Sequence, residues 1–501
     1  MELEKNELLS LKNGSDIRGV AIAVEDFPAN LTPEAVTLIA NGLVSWLRKE
    51  EALYQEGKLT IGVGQDSRIS GDSLKKALIQ QLTAQGVQVI DFQLATTPAM
   101  FMSTQYPEFN CDAAVMLTAS HLPYYYNGLK IFTKQGGAEK EDIQFILEHL
   151  QKNENGHQGT VTTADLISVY IDDLVKKISD STNSRQPLAG CKIVVDAGNG
   201  AGGFFVDVLQ RLGADTTGSQ FLEPDGRFPN HIPNPDNDEA MASIKKAVLD
   251  NQADLGVIFD TDVDRAAVVT ASGSTLNRNN LIAVLSKIVL SEHPGTSIVT
   301  NSPTSDHLRT FIEALGGKQV RYISGYRNVI NKAIELNKEG IDCQLAIETS
   351  GHAAFKENYF LDDGAYVIAK ILMLLPSLKK NQQTLDSFLQ ELKQPAETVE
   401  VRFPLRKDDY RQLGEEVIQK LADYQVTGWK IDPENHEGVR IRLEEPFGSG
   451  WFLLRMSLHE PLLVLQVEND VQGIIPKVLQ ELNVFLEEFP EVDQTKLLSK
   501  I

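Results

Sequence analysis

One pattern occurs three times along this 501-residue chain: a β-rich run, a polar turn, an amphipathic helix, a glycine and a further strand. The copies open with LTIGVGQD at Leu59, CKIVVDAGNG at Cys191 and TSIVTNSPTS at Thr296. Repeated strand–helix–strand units predict α/β layers with mixed or parallel sheets. Together with its length, this pattern predicts three or four domains rather than one.

Each copy is followed by one more apolar strand that ends in Ser, Asp, Glu or His. These strands are DAAVMLTASH from Asp112, DLGVIFDTDVDR from Asp254 and DCQLAIETSGH from Asp342. In open α/β sheets, ligands bind beyond the carboxyl ends of the strands. We therefore expect these three loops to carry the chemistry.

The chain from about Thr398 follows a different pattern. LGEEVIQKLADY predicts a helix, whereas VRIRLEE, GWFLLRMSL and LLVLQVEN predict strands, and residues 475–488 predict a second helix. We expect a C-terminal α+β domain, with an antiparallel sheet that carries helices on one face.

Charge and composition exclude several classes of protein. The net charge is −22, from 69 acidic and 47 basic residues, which argues against a general nucleic-acid binder but not against a small anionic substrate beside a local Arg and Lys cluster. No apolar stretch is long enough for a membrane helix. Cys111, Cys191 and Cys343 lack CxxC spacing, which predicts neither disulfides nor a zinc site. MELEKNELLSL lacks a signal pattern, so we expect a cytoplasmic protein.

Asp260, Asp262 and Asp264 form the clearest chemical signal. Three carboxylates this close repel one another unless a cation lies between them, and hard oxygen ligands select Mg²⁺ or Ca²⁺. An EF-hand is excluded because Arg265 and Ala271 occupy the positions that need Gly and Glu. The alternative interpretation is a solvated turn at the end of a strand.

Ser120 lies in the second loop, TASHLP, between a strand and a proline-bearing turn. A serine nucleophile needs activation by a base or a metal, and His121 or Lys130 could act as the base. The alternatives are a serine that only forms the turn, and a histidine and lysine that are inert surface residues.

Two further loops have weaker signals. Residues 348–352, ETSGH, offer donors and acceptors that suit sugar hydroxyls, or form only a turn around a glycine with positive φ. Residues 455–461, RMSLHEP, combine an arginine and a hydroxyl, which suits a phosphate clamp. The alternative for that segment is a cross-strand ion pair.

Gly198, Gly200 and Gly203 follow a strand with GxGxxG spacing, and Glu223 lies 20 residues further on, as in a dinucleotide-binding fingerprint. However, the equivalent turns of the other two copies lack these glycines. Glu223 also stands in FLEPDGRFPNHIPNPD, which predicts a long loop rather than a strand tip. Both observations argue against a Rossmann dehydrogenase, which is kept only as a remote alternative.

In their order, these loops resemble the motifs of the α-D-phosphohexomutase superfamily, the phosphoglucomutases and phosphomannomutases. The resemblance covers nearly the whole chain, and its motifs are GSDIRG, DSR, TASHLPYYYNGLKIF, VVDAGNGAGG, PDGRFPNHIPNP, DTDVDR, SGYR, ETSGH with Asp363-Gly364, and EGVR…GWFLLRMSLHEP. It implies three similar α/β domains with mixed sheets and a smaller C-terminal α+β domain around a central cleft. The expected domains are 1–160 with the phosphoserine loop, 161–290 with the metal loop, 291–393 with the sugar loop and 394–501 with the phosphate loop.

The resemblance also implies roles for individual residues. Ser120 would carry the phosphoryl group, and the seryl phosphate would bind Mg²⁺ together with Asp260, Asp262 and Asp264. The other expected catalytic residues are Arg18, His121, Lys130 and Arg265, with proton transfer assigned to His121 or Lys130. The expected substrate-binding residues are Glu348, Ser350 and His352 for the sugar hydroxyls, Arg455 and Ser457 for the remote phosphate, and Arg327 and His459.

Several positions depart from the family pattern. Asn is usual at Leu122, glycines at Thr261, Val263 and Ile347, and Gly and Thr at Leu458 and His459. The ligand and nucleophile types survive, so we expect an enzyme. The changes in the phosphate loop leave the choice of substrate and the reaction outcome open.

The resulting hypothesis is a Mg²⁺-dependent phosphotransferase that interconverts hexose 1- and 6-phosphates through phospho-Ser120, with a sugar 1,6-bisphosphate as activator and intermediate. The alternative is a hexose 1,6-bisphosphate synthase that uses a donor such as fructose 1,6-bisphosphate. From other classes, we retain an NAD-dependent dehydrogenase and a non-catalytic sugar-phosphate-binding protein. We expect hexose phosphates as partners, no nucleic acid, no membrane, and a monomer or homodimer.

Overall fold

A computed structural model describes residues 5–49, 58–152, 157–407, 409–458 and 460–501. These residues form two compact units: Met1–Leu281 with Ser350–Phe388, and Ile282–Thr349 with Leu389–Ile501. Each unit has its own sheets and buried core. Across the described ranges, no helix combines the length and the apolar character that a bilayer crossing requires.

The first sheet belongs to the first unit. Its strands are β1 (Lys12–Asn13), β2 (Asp16–Val20), β3 (Thr60–Gln65), β4 (Gln88–Leu94), β5 (Ala113–Leu117), β6 (Tyr126–Thr133), β7 (Gly136–Gly137) and β8 (Val161–Thr163). Their order is β1-β2-β6-β5-β3-β4-β8, and β7 pairs with β6. β3 is parallel to β4 and β5, and β6 is antiparallel to β5 and β2, so the sheet is mixed. The helices of this region are α1 (Lys5–Leu9), α2 (Pro33–Lys49), α3 (Gly71–Thr83), α4 (Thr97–Met102), α5 (Lys140–Glu148) and α6 (Leu166–Thr182).

The second sheet also lies in the first unit. Its strands are β9 (Ile193–Asp196), β10 (Leu255–Phe259), β11 (Ala266–Thr270) and β12 (Thr275–Leu276), in the order β12-β11-β10-β9. β10 is parallel to β9 and buried along its whole length, which explains its continuous apolar sequence LGVIF. A 3₁₀ turn at Gly202–Phe204 leads into α7 (Phe205–Arg211), followed along the chain by α8 (Asp238–Asn251) and α9 (Arg278–Glu292).

The third repeat contributes strands to both units. In the second unit, β13 (Ser297–Asn301) runs parallel to β14 (Lys318–Tyr322) and β15 (Cys343–Ile347). In the first unit, β16 (Ala353–Phe355) and β17 (Leu361–Asp362) form an antiparallel pair. The helices are α10 (Asp306–Ala314), α11 (Tyr326–Lys338), α12 (Gly364–Lys380) and α13 (Leu385–Phe388), and a 3₁₀ turn spans Lys356–Asn358.

The C-terminal region, in the second unit, has an antiparallel sheet. Its strands are β18 (Glu397–Pro404), β19 (Trp429–Ile431), β20 (Val439–Leu443), β21 (Gly450–Met456) and β22 (Leu462–Asn469), in the order β18-β22-β21-β20-β19. The helices are α14 (Tyr410–Asp423), α15 (Ile475–Leu486) and α16 (Thr495–Leu498), and residues of the longer two share a buried core with the strands.

The three late strands predicted from the sequence are β5, β10 and β15. Each runs parallel to the first strand of its own repeat, so the carboxyl ends of the two strands lie at the same sheet edge. The predicted C-terminal strands and helices are also present. The expected boundary between residues 290 and 291 falls inside α9.

Candidate functional site

Ser120 follows β5 in a backbone conformation with φ of 51°, and its side chain is buried. Its Oγ donates to Asp260 Oδ2 at 3.1 Å and accepts from Arg265 Nη2 at 3.1 Å. His121 Nδ1 lies 3.4 Å from the same oxygen. A left-handed conformation is uncommon for serine, and such strain is typical of functional turns. The turn presents the Ser120 hydroxyl to a carboxylate and a guanidinium.

The buried Arg68 side chain holds the backbone of the serine loop. Its guanidinium donates to the carbonyl oxygens of Ser120, Leu122, Pro123 and Tyr126. Because one rigid fork satisfies several carbonyls, it fixes the curvature of the loop. The sequence contains this arginine in the DSR motif, but nothing in its spacing predicts that it donates hydrogen bonds to the backbone of the loop that carries Ser120.

The metal loop joins β10 to β11 and is fully buried. Asp260, Asp262 and Asp264 each offer a carboxylate oxygen, and these oxygens lie within 4.8 Å of one another. Burial, with the charges of the other two aspartates, raises the pKa of Asp260 well above its usual range. Burial also opposes ionisation of Asp264, but the charges of Lys130 and His352 outweigh it and hold the pKa of that carboxyl well below its usual range.

The donor set fits a hard divalent cation. Asp262 Oδ1 and Asp264 Oδ1 are buried and have no hydrogen-bond partner among the described residues. A buried carboxylate oxygen without a partner carries a large desolvation cost, which a metal bond can offset. All of these ligand atoms are carboxylate oxygens, as Mg²⁺ and Ca²⁺ prefer. The interpretation of this loop as a solvated turn is therefore wrong, because its three aspartates are buried.

Cationic side chains surround the acidic loop. Lys130 Nζ, on β6, lies 3.2 Å from Asp262 Oδ2 and contacts Asp264 Oδ2. Arg265 Nε donates to Asp260 Oδ2 at 3.1 Å. These cations offset part of the charge of the three carboxylates, and they leave Asp262 Oδ1 and Asp264 Oδ1 without a hydrogen bond among the described residues.

His121 and Arg18 complete this side of the site. Arg265 Nη2 donates to His121 Nδ1 at 2.7 Å, so this imidazole nitrogen is an acceptor. Burial and the charges of Arg265 and Arg18 hold the pKa of His121 well below its usual range. Arg18, on β2, donates to Asp16 Oδ2 at 2.9 Å, and its buried Nε has no hydrogen-bond partner in the described part of the chain. His121 is accordingly a neutral side chain beside the serine hydroxyl.

Residues 350–352 of the predicted sugar loop (348–352) lie against the predicted metal loop (260–265) within the first unit. His352 Nε2 is 3.7 Å from Asp264 Oδ2, and Ser350 Oγ is 3.0 Å from His352 Nδ1. Burial disfavours the imidazolium, but the charge of Asp264 outweighs it and raises the pKa of His352. The raised pKa favours a positive charge on His352 between Asp264 and Ser350.

The start of α12 supports the metal loop from the other side. Gly364 N donates to Val263 O at 2.9 Å, and a Cβ on Gly364 would stand 2.8 Å from the carbonyl of Arg265. Asp363 caps the helix by accepting from Tyr366 N at 2.9 Å. The close approach explains the glycine of the Asp363-Gly364 motif, to which the sequence alone assigns no role.

A long loop after the second repeat is fixed by a buried ion pair. His231 Nε2 lies 2.9 Å from Asp196 Oδ2, and Nδ1 lies 2.9 Å from Ile232 O. Because both acceptors are oxygens, both ring nitrogens donate and the ring is an imidazolium. Burial opposes this charge, but hydrogen bonding to Asp196 and its charge raise the pKa of His231 above the usual value. The loop carries Asn234, whose Oδ1 accepts from Arg265 Nη1 at 3.3 Å.

The glycines of the GxGxxG segment serve close packing. A Cβ on Gly200 would stand 2.6 Å from Thr261 O, and one on Gly203 would stand 2.6 Å from Leu222 O. Asn199 Nδ2 donates to the main-chain oxygen of Glu223 at 2.9 Å. The glycine loop thus packs against the metal loop, and Glu223 lies in the long loop, as the sequence predicts.

In the second unit, Glu348 follows β15 and is buried. Its Oε1 accepts from Gly325 N at 2.7 Å, in the SGYR turn that leads into α11. Arg327 lies in the first turn of α11, where its Nη2 donates to Asn331 Oδ1 at 3.3 Å. Arg327 is therefore part of the SGYR segment, and Glu348 is hydrogen-bonded to it.

The phosphate loop connects β21 to β22 in the same unit. Arg455 Nη1 donates to Met456 O at 3.2 Å and lies 3.7 Å from Glu437 Oε1, while the buried Arg455 Nε has no hydrogen-bond partner among the residues described. Ser457 N donates to Leu462 O at 2.9 Å. Leu458 is 47% exposed, and its Cδ1 is 3.5 Å from where a Cβ on Gly325 would stand. His459 lies outside the described residues.

Family comparisons agree with this architecture. Three consecutive models match the chain: phosphoglucomutase/phosphomannomutase alpha/beta/alpha domain I at residues 10–157, domain II at 168–273 and domain III at 277–395. The chain belongs to the phosphoglucomutase/phosphomannomutase family. Its members are phosphohexomutase enzymes, so the predicted family, fold class, function class and enzyme status are confirmed.

Individual relatives match over nearly their full length. The chain is 31% identical to a phosphomannomutase/phosphoglucomutase of Pseudomonas aeruginosa, over 97% of this chain and 96% of the relative. It is 29% identical to a phosphoglucomutase of Neisseria gonorrhoeae, over 95% and 96%. A solved family protein from Burkholderia thailandensis has a TM-score of 0.78 and 26% identity, covering 97% of this chain and 98% of its own. The family is generally metal-dependent, which agrees with the buried acidic triad.

Within the first unit, the structure brings together most of the candidate residues. Ser120, His121, Lys130, Arg265 and the three aspartates form one connected cluster, with Ser350 and His352 beside it. Within the second unit, Glu348 and Arg327 lie with the SGYR turn, and Arg455 and Ser457 lie at the phosphate loop. Sequence reasoning missed Arg68, His231 and Asn234, each of which supports a loop rather than facing solvent.

Proposed function

We propose that the chain interconverts hexose 1-phosphates and hexose 6-phosphates, with the phosphoryl group carried by Ser120. The observation that carries this proposal is the Ser120 hydroxyl, which is hydrogen-bonded to Asp260 Oδ2 and Arg265 Nη2 at the edge of the acidic triad. A hydroxyl alone is a weak nucleophile, but neighbouring cations stabilise the charge that develops during phosphoryl transfer.

The transfer balances as an exchange of one P–O bond for another. The phosphoryl group leaves Ser120 Oγ for a sugar hydroxyl oxygen, and the proton of that hydroxyl ends on Ser120 Oγ. Asp260, Asp262 and Asp264 would hold Mg²⁺ with an oxygen of the seryl phosphate. That ion, when bound, supplies charge neutralisation and orientation. Lys130, Arg18 and Arg265 add positive charge around the transferred group.

We assign proton transfer to His121 rather than to Lys130. The His121 imidazole is neutral and has an unprotonated nitrogen that can take a proton, although its depressed pKa makes it a weak base; the Lys130 ammonium is instead held by Asp262 and Asp264. His121 Nδ1 already accepts from Arg265, so uptake at this nitrogen requires that hydrogen bond to open. We propose that the sugar hydroxyls bind to Glu348, Ser350 and His352. The remote phosphate would bind to Arg455 and Ser457. Arg327 and His459 are the other proposed substrate-binding residues.

The test is phosphorus NMR of the products formed from a panel of hexose 1- and 6-phosphates, with and without a sugar 1,6-bisphosphate. We expect 1-to-6 interconversion that depends on Mg²⁺ and on the bisphosphate. Intact mass should show one added phosphate, which Ser120→Ala should abolish together with turnover. Full activity of Ser120→Ala, with no phosphate under any bisphosphate loading, would contradict the proposal.

A second candidate is a hexose 1,6-bisphosphate synthase, and the observation that favours it is Leu458. The family usually has a glycine at position 458. The Leu458 side chain lies beside Gly325, where it can keep backbone N–H donors away from a phosphate. One lost hydrogen bond to a charged group is worth about 1.5–3 kcal/mol, roughly 10- to 150-fold in retention of the intermediate. With fructose 1,6-bisphosphate and glucose phosphate, a synthase accumulates glucose 1,6-bisphosphate stoichiometrically with fructose phosphate, whereas a mutase leaves only traces.

A further inference from the structure

The second unit contains a carboxylate, largely shielded from solvent, to which the proposed reaction assigns no role. Glu437 precedes β20, and its side chain is 10% exposed. Its Oε2 accepts from Ser324 N at 3.1 Å and from Ser324 Oγ at 2.7 Å, and the Ser302 hydroxyl donates to the same oxygen. Its Oε1 lies 3.7 Å from Arg455 Nη1. The carboxylate therefore joins the loops after β13 and β14 to the arginine of the phosphate loop.

The backbone beside Glu437 is built for this contact. Gly438 has φ of 58°, and a Cβ there would stand 2.1 Å from Leu454 O and 2.8 Å from Arg455 Cα. Any other residue would clash with the strand that carries Arg455. The Glu437–Gly438 segment is thus pressed directly onto Arg455, which fixes where the carboxylate can point.

Two adjacent peptide N–H groups connect this carboxylate to the sugar-binding one. Ser324 N donates to Glu437, and Gly325 N donates to Glu348 Oε1 at 2.7 Å. Ser324 is buried and the two donors are consecutive, so a shift of the Ser324–Gly325 turn would change the hydrogen bonds of both carboxylates. Arg455, Glu437, the Ser324–Gly325 turn and Glu348 form one continuous connection.

We propose that Glu437 is a positioning residue that holds Arg455 at a fixed spacing from Glu348. This inference rests on the proposed function, in which Arg455 grips the remote phosphate and Glu348 the sugar hydroxyls. If the spacing between Arg455 and Glu348 is fixed, a hexose phosphate can bind without first ordering these side chains. Glu437 should therefore affect substrate affinity rather than the rate of the chemical step.

The experiment compares Glu437→Gln with Glu434→Gln, the same substitution three residues earlier on an exposed side chain that pairs with Arg309. For Glu437→Gln we expect KM for the hexose phosphate to rise about 10-fold or more, in line with the loss of charge-assisted hydrogen bonds, while kcat stays within about 3-fold. Glu434→Gln should match the wild type in both constants. A KM for Glu437→Gln equal to that of Glu434→Gln would overturn the inference.

A double-mutant cycle tests whether Glu437 acts through Arg455. In an Arg455→Lys background, Glu437→Gln should add less than about 3-fold to KM, because the group that it positions has already changed. Fully multiplicative effects would mean that Glu437 acts independently, and would also overturn the inference. If Glu437→Gln does not fold, Ser324→Ala removes one donor to the carboxylate and should raise KM in the same direction. A wild-type protein without activity on any hexose phosphate refutes the proposed function instead.

Discussion

Asp262 has two carboxylate oxygens in different surroundings. Oδ2 contacts Lys130 and the Thr97 hydroxyl, whereas Oδ1 is buried with no hydrogen-bond partner in the described ranges. One oxygen of the side chain is therefore anchored, and the other is the one that would bind the proposed metal ion. Replacing the acid by its amide retains the size of the group and removes its charge.

For Asp262→Asn we therefore expect a rate at least about 100-fold lower and a higher Mg²⁺ requirement. The missing charge weakens both the binding of Mg²⁺ and the stabilisation of the transition state. The free energy of unfolding in the absence of Mg²⁺ should change by less than about 1 kcal/mol, since loss of one of three mutually repelling anions offsets the lost ion pair. Steady-state kinetics across a Mg²⁺ titration, with denaturant unfolding, measures both. Asp250→Asn, on an exposed helix position, is the control; wild-type kinetics in Asp262→Asn would contradict a metal role.

The serine loop is an element with little regular structure of its own. Its shape depends on the Arg68 guanidinium, which donates to several of its carbonyls. Lysine retains the charge but cannot reproduce the fork, so buried carbonyls lose their donors. We expect Arg68→Lys to lower the free energy of unfolding by about 2–4 kcal/mol and to reduce phosphorylation of Ser120.

Urea unfolding and intact mass after incubation with a sugar bisphosphate measure these two effects. Arg48→Lys is the matched control, because the Arg48 guanidinium is partly exposed and donates to the carbonyl of Gln85 at 3.3 Å. It should change stability by less than about 1 kcal/mol. Equal losses in the two variants would show that the serine loop does not depend on Arg68.

The loop that carries Asn234 is a second element held by a buried charge. The pKa of His231 is raised in the folded state, so the Asp196–His231 pair contributes its full stability below the ordinary histidine value of about 6.5. That contribution is lost as the pH rises through the higher pKa of the folded protein. The charge of Glu239 also favours the protonated imidazole. Removing the Glu239 carboxylate should therefore narrow the pH range over which the Asp196–His231 pair stabilises the fold.

We expect the free energy of unfolding to fall with rising pH above about 6.5 in the wild type, and this slope to be reduced in His231→Gln. Urea unfolding at a series of pH values from 5.5 to about 9 measures the slope, over the range set by the histidine value. His157→Gln, an exposed histidine, should retain the wild-type slope. An unchanged slope in His231→Gln would assign the pH dependence to other groups.

Sequence reasoning succeeds for the elements whose signal is local. The late strands are apolar runs closed by clustered polar residues, and burial on both faces of a sheet imposes that pattern. Arg68, His231 and Glu437 are different, because each is a single charged residue that hydrogen-bonds to atoms 35 or more positions away in the chain. A charged residue of this kind looks like surface until the fold buries it.

At the scale of the whole molecule, each compact unit depends on its own buried contacts. In the second unit, Arg440 donates to Ser302 O and Thr304 O at 3.0 Å and stacks on the Trp451 ring, 3.7 Å from its centroid. It also lies 3.5 Å from the fully buried carboxylate of Asp432. The third repeat and the C-terminal sheet therefore share a charged, desolvated contact within this unit.

Removing that guanidinium leaves a buried carboxylate with fewer counter-charges. We expect Arg440→Ala to lower the free energy of unfolding of the second unit by about 3–5 kcal/mol, against less than about 1 kcal/mol for Arg442→Ala on the same strand. Arg442 also pairs with Asp432, but its side chain is 47% exposed. Hydrogen exchange read separately for the two units should show the loss in residues 282–349 and 389–501. Equal effects of both variants would rule out a special contribution from Arg440.

The left-handed backbone at Ser120 also limits which amino acid can occupy that position. Threonine offers the same hydroxyl, but its branched Cβ is disfavoured at positive φ, and asparagine and aspartate accept that conformation without providing a hydroxyl. Tyrosine would place its oxygen several bonds further from the backbone than serine does. The turn thus favours the smallest hydroxyl side chain at this position, so backbone geometry as well as reactivity would decide which residue carries the proposed phosphate ester.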